Sequence, residues 1–232
     1  VMYQQSTAQN DRGGAGFMGH NPAQQRLLMA ARGWHLFPLE PGKKTPYPGS
    51  RGYKDATTDP AKLLNWPEGA GVGIATGASG LLVVDCDNKP SAPPAPWNVP
   101  GVTNGEDALA LLWEHCDRGP TPWAECLSVL TPSGGAHLYF QARSGEIGIS
   151  ASLLAWQVDV RAQGGYVVAP GTRLTEGTKR TAGVYIPVHW PAVLPIAPAW
   201  LEERLRPKPK AVRAVAPYQP GSAGQVLVGG GS

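Results

Sequence analysis

The spacing of apolar and polar residues changes period several times along the chain, and each change marks an element. In Pro22–Arg32, Leu27, Leu28 and Ala31 form a helical stripe; Pro22 suits the first turn and Gly33 ends it. Trp34–Leu39 is dense and apolar, a short strand whose Pro38 places its end at a sheet edge or a turn. Asp59 followed by Pro60 is an N-cap and first helical residue, opening a helix through Trp66. Val72–Gly77 and Leu81–Asp87 are two strands separated by Ala78-Ser79-Gly80, which predicts a hairpin. Between Glu106 and Cys116 the period returns to helical, with Leu109, Leu112 and Trp113 on one face and Glu106 and Asp107 at the N-terminal end.

Short strands follow. Cys126–Leu130 leads through Pro132-Ser133-Gly134-Gly135 into a strand beginning with His137. Trp156–Arg161 and Tyr166–Pro170 flank Gly164-Gly165, which predicts a second hairpin. Residues 171–190 supply a further edge strand ending near Trp190, and Ala199–Leu205 is a short closing helix.

One strand stands out for its chemistry. Leu81-Leu82-Val83-Val84 runs directly into Asp85-Cys86-Asp87. In a strand alternate side chains share a face, so Asp85 and Asp87 point the same way and Cys86 points into the core on the other. Two carboxylates so placed repel unless a cation lies between them, which suits Mg²⁺ or Mn²⁺. A solvated acidic turn is the plainer alternative for that pair alone. Asp159 is a third acid on a strand, with Arg161 on its face. Three carboxylates can hold two divalent ions about 4 Å apart, the spacing used in phosphoryl and nucleotidyl transfer.

His137 follows a Ser-Gly-Gly turn whose successive N–H groups can form an anion-binding nest over Ser133, Gly134 and Gly135. Lys44, in the turn Pro41–Pro46, offers a point charge for phosphate, or is simply solvated. Asn88–Gly105 is a long Pro-rich excursion directly after the acidic strand, the placement of a functional loop.

Composition sharpens this. Of 232 residues 30 are Gly and 24 Pro, so turns and loops abound, but 42% are hydrophobic and a core can form. Net charge is +3, yet five cations and no acid lie from Arg204 onward, leaving 15 cations against 17 acids before it. The body is therefore not broadly basic, and nucleic acid would be met by a local patch. Residues 1–20 are polar and Gly-rich, read as a mobile arm; 21–206 form the folded domain; 207–232 read as a Lys-, Pro- and Gly-rich linker or tail. Cys86, Cys116 and Cys126 are widely spaced without a Cys-x-x-Cys, which fits a reducing cytosol; a site joining Cys116, Cys126 and His115 is the minor alternative. No stretch approaches the roughly 20 apolar residues of a membrane span.

Seven pieces in order resemble the bifunctional DNA primase/polymerase (prim-pol) domain of plasmids and phages, in the archaeo-eukaryotic primase superfamily. They are Gly33–Leu39, Lys44–Pro46, Ala56–Pro60, Gly73–Gly77, the Asp-x-Asp strand, Thr131–Phe140 and Val158–Pro170. The resemblance implies an α+β fold, an α/β unit packed with a unit like an RNA-recognition fold and a metal site between them. It implies that Asp85, Asp87 and Asp159 bind metal and that Ser133 and His137 meet the nucleotide's phosphates, with Arg161 and Lys44 at basic positions of the pattern. Single-stranded DNA, NTP or dNTP, two Mg²⁺ or Mn²⁺ ions, a helicase domain beyond the tail and a bacterial host's cytoplasm are the expected partners and setting. Two rival readings share parts of this pattern: a non-catalytic template- or origin-binding module of a helicase, and a metal-dependent nuclease.

Overall fold

The computed structural model describes residues 12–117, 121–177 and 181–206. The linker expected over 207–232 and the first part of the arm lie outside them. The protein is α+β, built on two antiparallel sheets.

The larger sheet holds six strands. β3 (Leu81–Cys86), β4 (Leu127–Leu130), β5 (Ala136–Gln141), β6 (Ser150–Ala155), β7 (Val158–Arg161) and β11 (Ile186–His189) lie in the order β11-β4-β5-β3-β7-β6. The smaller sheet has three strands, β1 (Leu36–Leu39), β2 (Gly71–Ala75) and β8 (Tyr166–Val168), with β2 central. A two-stranded ribbon joins β9 (Arg173–Leu174) and β10 (Gly183–Val184).

Alternation along β3 divides the core. Leu82, Val84 and Cys86 face α4 (Gly105–Asp117) and α5 (Ala199–Leu205), packing with Leu109, Trp113 and Leu201. Leu81 and Val83 face the other way, into a second core shared with Phe37, Ile74 and Tyr139. That core also takes Met29 of α2 (Pro22–Ala31) and Leu63 of α3 (Pro60–Leu64). The face that buries Leu81 and Val83 is the one that turns acidic at Asp85. Fully buried side chains of this size each stabilise the fold by about 1.5–3 kcal/mol, so β3 is anchored on both sides before it reaches the acids.

Helix ends follow local chemistry. Asn21 and Gln24 form a reciprocal capping box at the start of α2, at 2.9 and 3.0 Å. Asp59 caps α3 by accepting from the Ala61 N–H at 2.9 Å.

Three expectations are corrected. The strands β2 and β3 do not form a hairpin: β2 pairs with β1 and β8, and β3 with β5 and β7. Nor do β7 and β8 pair, since they belong to different sheets. Both connections cross between sheets at one place, where Thr76 donates through Oγ1 to the Ala162 carbonyl at 2.6 Å and through its N–H to Gly165 at 3.2 Å. The turn residues do not decide the pairing: Leu81 still donates to the Thr76 carbonyl at 2.9 Å, but the flanking strands take their neighbours in different sheets. The arm expected over residues 1–20 is ordered from Arg12, as α1 (Arg12–Met18), with Phe17 3% exposed and stacked on Trp190 at 4.2 Å.

Among the described residues no helix is long and apolar enough to cross a membrane.

Candidate active site

Strand pairing alone assembles the centre of the site. In the ladder Asp85 is opposite His137 on one side and Asp159 on the other. The row His137–Asp85–Asp159 therefore lies across β5, β3 and β7 on one face, neighbouring Cβ atoms about 4.5–5.5 Å apart. Asp87 follows on the same side of the chain; its N–H donates to the Gln157 carbonyl at 2.8 Å, which extends the β3–β7 pairing by one residue.

These residues line one cavity of about 420 Å³ with Lys44, Lys89, Ser133, Arg161, Tyr166 and Tyr185. The larger sheet supplies the acids, and the smaller-sheet side supplies Lys44 and Tyr166. The cleft thus lies between the two sheets, at the end of β3 where its apolar pattern stops.

Each carboxylate has a basic partner. Asp85 Oδ1 lies 3.4 Å from His137 Nε2. Asp87 Oδ2 holds Lys89 Nζ at 2.5 Å, and Asp159 Oδ2 accepts from Arg161 Nη2 at 2.9 Å. Asp159 Oδ1 also accepts from the Ser152 N–H at 3.1 Å. Burial pushes the Asp85 carboxyl up, but the positive fields of His137, Arg161 and Lys44 outweigh it and hold the group below its ordinary value. It stays ionised in a site it shares with two other acids. The reverse holds for the tyrosines: burial pushes the Tyr185 and Tyr139 hydroxyls up, aided by Asp85, so both stay neutral, Tyr185 as a wall of the cavity and Tyr139 in the core.

Ser133 enters the cavity from the β4–β5 turn, its Oγ 3.1 Å from Thr131 Oγ1. Gly134 and Gly135 are not among the cavity's lining residues. Their N–H groups already donate to Thr131, to its carbonyl at 3.0 Å and its Oγ1 at 3.1 Å. Gly135 matters instead for packing, since a Cβ there would come 2.2 Å from the Cys86 carbonyl oxygen. The turn can therefore press against the acidic end of β3 only because that residue lacks a side chain. Cys86 is fully buried on the helix side, and burial pushes its thiol well up, so it stays neutral.

Four lining residues, Tyr53, Lys89, Ile149 and Tyr185, are not among those the sequence singles out. Lys89 could have been: Asp85, Asp87 and Lys89 keep the two-residue spacing of an extended chain. Tyr185, in the weakly patterned stretch before β11, gave no signal. Lys44 lies over the Tyr185 ring at 5.9 Å, and its carbonyl accepts from the Tyr166 hydroxyl at 3.0 Å.

Among the described residues no three His, Cys, Asp or Glu groups are gathered tightly enough to cage a metal ion. The donor chemistry nevertheless fits a hard divalent cation. Three carboxylates share one face, two of them directly opposed in register, an arrangement that is costly without positive charge nearby. Lys89 and Arg161 supply that charge, each paired to one of the acids.

The protein is thus an α+β domain with an acid-and-base cleft between two antiparallel sheets. Residues 26–200 match the model of the bifunctional DNA primase/polymerase N-terminal family, and the chain belongs to that family. Membership implies a nucleotidyltransferase of the DNA primase/polymerase class, with DNA and nucleotides as substrates. No curated protein matches the chain.

Proposed function

We propose that this domain makes and extends primers on a single-stranded DNA template, in the replication of a phage or plasmid, with the cleft beside β3 as its catalytic centre. The observation that carries this is the row His137–Asp85–Asp159, with Asp87 and Arg161 on the same side and Lys44 facing them, in one cavity. Asp85, Asp87 and Asp159 would hold Mg²⁺ or Mn²⁺. Such ions, when bound, would supply activation of a 3′-hydroxyl and neutralisation of phosphate charge.

The chain's own side chains do the rest. Arg161 and Lys44 place positive charge where a triphosphate would lie, and Ser133 and His137 offer a hydroxyl and an imidazole from the β4–β5 turn and β5. Tyr166 and Tyr185 stay neutral and exclude water from the sides of the cleft. The opposed pair Asp85 and Asp159 is held apart by ladder hydrogen bonds, so its spacing costs no rearrangement during reaction.

The test is incubation with single-stranded DNA, Mn²⁺ or Mg²⁺, and labelled NTPs and dNTPs. Wild type should give short oligomers, and Asp85→Asn should give none while still melting cooperatively. Equal synthesis by the two proteins would refute the assignment, and shortening of a labelled primer would indicate a nuclease instead.

A further inference from the structure

A second cavity, about 700 Å³, opens where the N-terminal part of α2 meets the segment after α3 and the start of β9. It shares no lining residue with the first. Arg26 lines it and is only 7% exposed. Its Nε has no hydrogen-bond partner, and among the described residues no carboxylate pairs with it. Glu68, the only acid among the described lining residues, is exposed and forms no ion pair with it.

A buried cation without a counter-ion is costly, and an apolar chain of similar length would pack there without that cost. Burial accordingly depresses the Arg26 guanidinium's affinity for its proton. The guanidinium lies over the half-buried Trp66 ring at 5.3 Å, and Trp66 faces the same cavity. Arg173, exposed at the rim, adds a second positive charge. A planar cation beside an indole, in a cavity of ligand size with net positive lining, suits an anion that carries a flat ring.

We propose that this cavity is a second nucleotide site, in which Arg26 is the phosphate's counter-ion and Trp66 the wall against the base. The nucleotide is either free or one unit of a single strand. The site does not depend on the catalytic reading of the first cavity, and its test needs no metal.

The experiment measures melting temperature and binding with the full chain in EDTA, using dTMP, hexathymidylate and, as a phosphate-free control, thymidine. Without ligand, Arg26→Met should melt at or above the wild-type temperature, because an uncompensated charge is removed. With dTMP or hexathymidylate the wild type should gain several degrees and thymidine should add nothing. Arg26→Met should lose at least tenfold in affinity. Arg173→Gln, a surface change with no effect on folding, should lose about threefold. A response to dTMP identifies a free nucleotide as the occupant, and a response to hexathymidylate alone identifies a strand. Equal responses from wild type and Arg26→Met, no response from either, or a ligand-free Arg26→Met that melts well below wild type would each overturn the proposal.

Discussion

Lys89 is the residue on which the site's charge balance can be tested most directly. Its side chain is 63% exposed and its ammonium holds Asp87, whose side chain is 24% exposed, at 2.5 Å. At such exposure an ion pair is worth about 0.5–1 kcal/mol. A divalent ion binding through Asp87 must displace that ammonium, so the pair's stability subtracts from the ion's apparent affinity. Removing it with Lys89→Ala should tighten Mn²⁺ binding by about two- to fivefold, since RT is about 0.6 kcal/mol. Repulsion between ammonium and metal acts in the same direction. The protein itself should lose no more than about 1 kcal/mol, roughly 2–4 °C in Tm. Isothermal titration of metal-free protein with Mn²⁺ reads the first number and a melting curve the second. Raising the salt concentration should narrow the gap between variant and wild type, because the exposed pair is screened. Unchanged or weaker Mn²⁺ binding in Lys89→Ala would refute the idea that Lys89 and the metal compete for Asp87.

Three more outcomes follow from named contacts. Gly135→Ala forces a Cβ to within 2.2 Å of the Cys86 carbonyl; it should cost about 1–3 kcal/mol in urea unfolding and reduce primer synthesis together. The Asp85 carboxyl is held below its ordinary value of 3.8, so the stability it contributes is present above about pH 4 and lost as pH falls through the lower folded value. The wild type's advantage over Asp85→Asn in urea should therefore shrink below about pH 4, and an advantage that grew on acidification would contradict the charge assignment. Gln157 ties the base of the Pro-rich loop by accepting from the Lys89 N–H at 2.8 Å and donating to the Lys89 carbonyl and Ser91 Oγ at 2.9 Å; Gln157→Ala should speed limited proteolysis within residues 89–104, and an unchanged cleavage rate would show that the loop is held elsewhere.

The sequence reveals what is decided locally. Asp59-Pro60 caps α3 because an N-cap needs only its own first turn, and Asp85 with Asp87 shares a face because period two is a property of any strand. The partner of a strand is not local. Thr76-Gly77-Ala78-Ser79-Gly80 has hairpin chemistry, yet Thr76 is held by Ala162, 86 residues away, and the chain changes sheet. α1 is rich in glycine and poor in helix propensity; it forms against β11, where a Cβ on Gly14 would come 2.2 Å from the Pro187 carbonyl oxygen. β6 escaped notice because Ser-Ala-Ser-Leu-Leu-Ala does not alternate, and its pairing with β7 is broken by a bulge at which Ser152 takes φ +49°. In the site, the acids and His137 were legible from spacing. The opposition of Asp85 and Asp159 was not, because register depends on both strands at once.

The crossing at Thr76 gives the molecule two different stiffnesses. Asp85, Asp87, Asp159 and His137 ride on one sheet, where backbone hydrogen bonds act as a ruler that resists stretching. Lys44 and Tyr166 ride with the other, joined to the first by interdigitated side chains and the narrow seam that Thr76 stitches. A substrate that wedges the two bodies apart would loosen the jaw without recalibrating the ruler. Tightness of grip and accuracy of placement can therefore be altered separately in this molecule, by different mutations.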